Sequence, residues 1–137
     1  MTSIQPELWV DTPREAVTFY EAAFGANVVH QVGDGHDVVA QLAVGEAAFW
    51  VAGTSATMKR LSPRSIDGAT SRTLFVVKDP DSVMRQAVAA GATETSPVTN
   101  GDGWRLGRIV DPFGHEWEIG VPLGAWPPSR TPGEGLR

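Results

Sequence analysis

Residues 8–26 read LWVDTPREAVTFYEAAFGA, and residues 75–92 read FVVKDPDSVMRQAVAAGA. With Val10 laid on Val77, Pro13 falls on Pro80 and Gly25 comes within one residue of Gly91. Each stretch leaves an apolar, β-branched run and enters helix-start chemistry: a capping side chain followed by proline, whose missing N–H costs nothing there. In the first stretch Ala16, Val17, Tyr20, Ala23 and Phe24 recur at helical spacing and make one apolar stripe. Val83, Met84, Ala87 and Val88 do the same in the second. A glycine then ends each helix, as it does at a left-handed C-terminal position.

Outward from these helices the same grammar continues. Strands are expected at residues 4–10, 27–31, 37–44 and 47–52, with turns at Gly33-Asp34-Gly35 and Gly45-Glu46. The second set is expected at 73–77, 93–98, 104–110 and 116–121, with turns at Asn100-Gly101-Asp102-Gly103 and Asp111-Pro112-Phe113-Gly114. An internal β-α-β-β-β duplication accounts for this order; two unrelated α+β halves are the alternative. The chain of residues 1–137 then forms a single domain, with module one at 4–52 and module two at 72–121. Residues 53–71 lack periodicity and read as a linker that folds over the sheet or reaches a partner subunit. Residues 122–137 form an irregular tail whose last residues are expected to be mobile.

Composition bounds the function. A chain of 137 residues with 42% hydrophobic and 20% charged residues can bury a core without disulfides. A net charge of −5 argues against nucleic-acid or anionic-membrane partners, which require a basic face. There is no apolar run of the roughly 18 residues that a membrane span needs, and the N-terminal residues lack the basic and apolar regions of a signal peptide. Without cysteine there is no disulfide framework, thiolate nucleophile or Cys-ligated metal. A cytoplasmic location is the resulting expectation.

Leu8 through Ala26, together with Asp111-Pro112-Phe113-Gly114-His115-Glu116-Trp117-Glu118-Ile119, resembles the vicinal-oxygen-chelate superfamily, which includes glyoxalases, bleomycin-resistance proteins and dioxygenases. The likeness covers roughly residues 4 to 121. It implies an α+β fold of two β-α-β-β-β modules forming a curled mixed sheet, an open cup with helices packed outside and a ligand inside. It also implies four metal-ligand positions, on the first and fourth strands of each module. Carried over residue by residue, these are Gln5, Trp50, Arg72 (or Thr73 if the register slips by one) and Glu118. Guanidinium and indole offer no usable lone pair, and a first-row metal needs about three or four N, O or S donors. No metal or other cofactor is therefore expected. His30 and Glu7 are the remaining candidates for a non-standard donor set, whereas His36 and His115 fall at a turn and a strand opening.

Strand alternation assigns the faces. Gln5, Glu7 and Trp9 share one face while Leu8 and Val10 pack under the helix; Arg72, Leu74 and Val76 correspond to the former in module two. Trp50 joins Ala48 and Ala52, and Glu118 joins Glu116, with Trp117 and Ile119 turned toward the core. Arg72 and Glu118, on opposing strands, are placed either to form an ion pair across the cup or for Arg72 to hold a ligand carboxylate or phosphate bidentately, and Glu118 beside Trp50 would be partly desolvated, as suits a general acid or base. Trp9, Trp50 and Trp104, among five tryptophans in all, suit a planar ligand, a dimer interface or a core equally.

The ligand-binding candidates are Gln5, Glu7, Trp9, Trp50, Arg72, Trp104 and Glu118; no catalytic residue is assigned. The leading expectation is a homodimer that binds a small, partly aromatic molecule in a metal-free cup, as bleomycin-resistance members of the resembled superfamily do by sequestration. The alternatives are a metal-dependent lyase, isomerase or dioxygenase using Glu118 with non-standard ligands, and a structural partner protein whose cup serves dimerisation.

Overall fold

A computed structural model describes residues 1–129. Module one runs β1 (Glu7–Val10), α1 (Pro13–Phe24), β2 (Asn27–Val32), β3 (Val39–Val44) and β4 (Ala47–Gly53). Module two runs β5 (Arg72–Val76), α2 (Pro80–Ala90), β6 (Thr93–Gly101), β7 (Trp104–Val110) and β8 (Glu116–Pro122). The sheets have the same topology, β1-β4-β3-β2 and β5-β8-β7-β6. In each, the first and fourth strands run parallel and the remaining pairs antiparallel. The duplication read from the sequence is thus repeated strand for strand in an α+β fold.

Local chemistry explains most boundaries. Gly25 takes φ 68° and ends α1 in the left-handed region, where a side chain would be strained. Asp79 caps α2 by accepting the Ser82 N–H at 3.1 Å. Thr12, expected to cap α1, makes no side-chain bond, and the Pro13 start stands without one. Strand β1 begins at Glu7 rather than residue 4, although the preceding chain still accepts the Trp50 N–H on the Pro6 carbonyl at 2.8 Å. Asp37 belongs to a 3-10 turn, Gly35–Asp37, rather than to β3. Strand β6 reaches Gly101, so only Asp102 (φ 52°) and Gly103 (φ 82°) turn the hairpin, a two-residue loop with both centres at positive φ.

One core joins the modules. Leu8, Val10, Phe49 and Val51 on the helix side of the first sheet share it with Ile109, Trp117 and Ile119 from the second. Phe24 meets Phe75 and Trp117 edge-on, both at 4.9 Å between ring centroids, and Phe49 meets Trp117 at 5.6 Å. Such pairs add about 0.5–1.5 kcal/mol beyond the area they bury. The helices also touch, with Gln86 Nε2 donating to the Ala22 carbonyl at 2.8 Å.

A buried carboxylate organises this core. Asp111 is 3% exposed and accepts four donors. Its Oδ1 takes the Phe113 and His115 backbone N–H groups, each at 3.0 Å. Its Oδ2 takes Trp117 Nε1 at 3.0 Å and the Tyr20 hydroxyl. Burial, and next the charge of Asp111, push the Tyr20 hydroxyl well above its usual pKa, so it remains a donor. Asp111 thereby shapes the Asp111-Pro112-Phe113-Gly114 turn and ties it to α1.

The 53–71 segment docks on its own chain. Pro63–Ile66 form a 3-10 turn capped by Ser62, Arg64 donates to the Pro112 carbonyl, and the Pro63 ring lies where a Cβ on Gly114 would come to 2.9 Å. Among the described residues no helix is long and apolar enough to cross a membrane. The tail expected from residue 122 starts one residue later, since Pro122 ends β8; residues 123–129 are irregular, and the expectation of mobility falls on 130–137, outside the described residues.

Candidate functional site

Each sheet has one helix-covered face and one helix-free face, and the candidate residues lie along the latter. On the first sheet, pairing sets Glu7 opposite Trp50, Trp50 opposite Gln41 and Gln41 opposite His30, a row across all four strands. Gln5 closes over this row: its Oε1 accepts Trp50 Nε1 at 2.8 Å and Gln41 Nε2 at 2.9 Å. His30 meets the Trp50 ring edge-on at 6.2 Å. Trp9 Nε1 donates to Glu7 Oε2 at 2.7 Å. Gln5, Glu7, Trp9 and Trp50 are thus brought together.

The equivalent row on the second sheet is Leu74, Glu118, Arg108 and Ser96. Trp50 and Glu118 therefore hold corresponding places in the two modules. Arg72 approaches Glu118 at 3.6 Å and Glu116 at 3.2 Å, and Arg108 Nε donates to Glu118 Oε2 at 3.0 Å. The Arg72–Glu118 pair forms, but between neighbouring parallel strands of one sheet rather than across a cup. Trp50 stands on the other sheet, so the groups within reach of Glu118 are two guanidiniums instead of an indole. Among the described residues, no hydrogen bond, ion pair or ring contact joins the two helix-free faces.

Trp104 sits apart, at the hairpin end of β7, where its ring meets Trp126 edge-on at 5.1 Å. Arg108 and Trp126 escaped the sequence reading. Alternation from Trp104 along β7 places Arg108 on the Glu118 face and so contains the missing signal. Trp126 lies in irregular chain, where no period assigns a face.

The four positions carried over as metal ligands do not fit a divalent ion. The Gln5 Oε1 already accepts two N–H donors, Trp50 has no lone pair to give, and Arg72 brings positive charge to Glu118. Of the other two histidines, the His36 ring bonds the Thr54 carbonyl and the His115 ring the Trp9 carbonyl, both at 2.8 Å. His115 thereby ties the two modules. Among the described residues no group of three His, Asp or Glu side chains is placed to hold a metal.

Two cavities lie at the seam between the modules. One of about 430 Å³ has Ile4, Gln5 and Leu74 in its walls and Phe24, Phe49, Phe75 and Trp117 at its floor. A second, of about 320 Å³, lies between β1 and the docked segment, where Glu7, Trp9, Lys59 and His115 line it.

The sequence signature of the glyoxalase/bleomycin resistance protein/dioxygenase superfamily matches residues 3–119. The chain belongs to that superfamily. An uncharacterised protein of Mycobacterium bovis is 31% identical over 129 residues, 88% of this chain and 84% of the relative. Among solved structures, a gene product of Arabidopsis thaliana matches with TM-score 0.68 and 27% identity, over 87% of this chain and 98% of that one. TnmS3, an antibiotic binding protein from Streptomyces sp. CB03234, matches with TM-score 0.65 and 18% identity, over 88% and 97%. In this superfamily member, then, the helix-free faces carry indoles, amides and Arg–Glu pairs where the sequence likeness implies metal ligands.

Proposed function

We propose that this superfamily member binds a small, partly aromatic molecule without a metal and acts by holding it rather than by transforming it. The observation that carries the reading is the Gln5–Trp50–Gln41 hydrogen-bond set. It holds a partly exposed indole on the helix-free face of a sheet and occupies the amide oxygen that a metal would otherwise need. A fixed, partly exposed indole offers a planar ligand stacking surface at little entropic cost. TnmS3, an antibiotic binding protein on the same fold, supports a small-molecule ligand.

In this reading the working unit is a homodimer in the cytoplasm. The two sheets share a core on their helix sides, and of the candidate residues only Gln5 reaches the larger seam cavity. A second copy bringing its Arg72–Glu118–Arg108 face to the Trp50 face would supply the other wall. The exposed Leu74 (43%) and Val76 (53%) on that face support burial against something.

A thermal-shift panel of aromatic natural products on chelator-treated protein tests the reading. A ligand that binds only the folded state adds RT ln(1 + [L]/Kd) to its stability. Stabilisation of the wild type, lost in Trp50→Ala without a fall in basal Tm, is expected. Stabilisation that is indifferent to Trp50 would overturn it.

A further inference from the structure

Three features of module two go beyond this reading: the C-terminal strap, the terminal nitrogens of Arg108, and the stretch of β7 between them. The strap leaves β8 and is fastened by the Leu123 N–H donating to the Gly103 carbonyl at 2.9 Å. The Cβ position of Gly124 faces open space. Two residues on, the Trp126 indole returns to rest edge-on against Trp104 at 5.1 Å, with Cζ3 3.9 Å from the Cβ position of Gly103. Trp126 nevertheless remains 54% exposed. More than half of the Trp126 side chain is thus open to a flat guest.

Trp104 and Arg108 point to the same face, because side chains alternate along β7 and Leu106 lies between them. At about 3.3 Å per residue their Cα atoms are about 13 Å apart. Arg108 spends its Nε on Glu118 and, among the described residues, its two terminal nitrogens have no protein acceptor. Those terminal N–H groups form a planar fork suited to a carboxylate.

We infer that β7 and the strap form a two-point subsite for a planar aromatic acid, with fused rings stacked against the Trp104–Trp126 pair and the carboxylate on Arg108. This rests on the metal-free binding reading above and names the ligand's class. Saturated rings lack the flat face the indoles need, and neutral arenes lack the group the guanidinium needs.

The test is isothermal titration of wild type, Trp126→Ala, Arg108→Gln and Trp50→Ala with anthracene-2-carboxylate, 2-anthracenemethanol and cyclohexanecarboxylate, each variant's Tm being recorded. The wild type should prefer the arene acid to both other probes. Trp126→Ala should weaken both arenes about three- to tenfold, the worth of a single aromatic contact. Arg108→Gln should erase the preference for the acid, a change of about ten- to a hundredfold for a charge-assisted hydrogen bond. The inference is overturned if neither variant changes binding at unaltered Tm, if the wild type shows no preference, or if the arene acid does not bind. Loss in Trp50→Ala alone would leave the metal-free reading standing and remove this subsite. Loss in Trp126→Ala and Arg108→Gln with Trp50→Ala unaffected would keep the subsite and remove Trp50 from the reading.

Discussion

Replacing Asp111 tests how the two modules are held together. Asp111→Ala would strand four donors: the Phe113 and His115 N–H groups, the Trp117 indole and the Tyr20 hydroxyl. Each hydrogen bond to a charged acceptor is worth about 1.5–3 kcal/mol, but losses within one network do not add, and water can enter the space left behind. Each neutral donor left unsatisfied in the core costs about 1–3 kcal/mol, and with that non-additivity the expected loss for the four together is about 3–5 kcal/mol. Asp111→Asn separates charge from geometry. The amide oxygen keeps both backbone N–H groups, while the NH2 group replaces the oxygen that accepted from Trp117 Nε1 and the Tyr20 hydroxyl, so both lose their acceptor. Each orphaned buried donor costs about 1–3 kcal/mol, and two orphans instead of four make the loss smaller than for Asp111→Ala. Urea denaturation followed by tryptophan fluorescence at neutral pH measures both, with an unchanged m-value as the check that the denatured state is the same. An Asp111→Ala loss below about 1 kcal/mol, or a larger loss for Asn than for Ala, would refute the hub.

Two further predictions concern the same region. Gly114→Ala should destabilise by about 1–3 kcal/mol in the same denaturation assay, because Gly114 sits at φ 91° and its Cβ would come to 2.9 Å from Pro63. Tyr20, whose pKa is raised by burial and then by Asp111, should favour folding fully below the ordinary tyrosine pKa of about 10 and lose that contribution as pH rises toward its higher folded value. Above about that ordinary value the unfolded state binds fewer protons than the native state, so stability falls with pH. Urea midpoints of wild type and Tyr20→Phe should therefore converge between about pH 10 and pH 12, and parallel curves would contradict this.

Much of the fold is legible because periodicity and punctuation agree. The Pro13 and Pro80 starts, the Gly25 and Gly91 stops and the alternation that buries Trp117 all reappear in the structure. Thr12 makes no capping bond although Asp79, equally followed by proline, makes one, so the shared Asp/Thr-Pro grammar marks where each helix starts without fixing whether its cap forms. The 53–71 segment defied reading because its anchors, Arg64 on the Pro112 carbonyl and Pro63 against Gly114, are single long-range contacts without a period. The face of each candidate was readable, since strand alternation is local. Which faces meet was not: Arg72 and Glu118 became sheet neighbours because β5 and β8 pair in parallel. Pairing of that kind is decided by how the whole module closes. Trp126 illustrates the same limit, its contact with Trp104 depending on where an irregular strap returns.

The central claim is that this superfamily member binds its ligand without a metal. Its most direct test is a calorimetric titration of chelator-treated protein with the best aromatic ligand, alone and then with manganese, zinc or nickel added. The account predicts the same affinity in every case and no change in the recovered ligand. Binding that appears only with a metal, or a ligand recovered chemically altered, would contradict it.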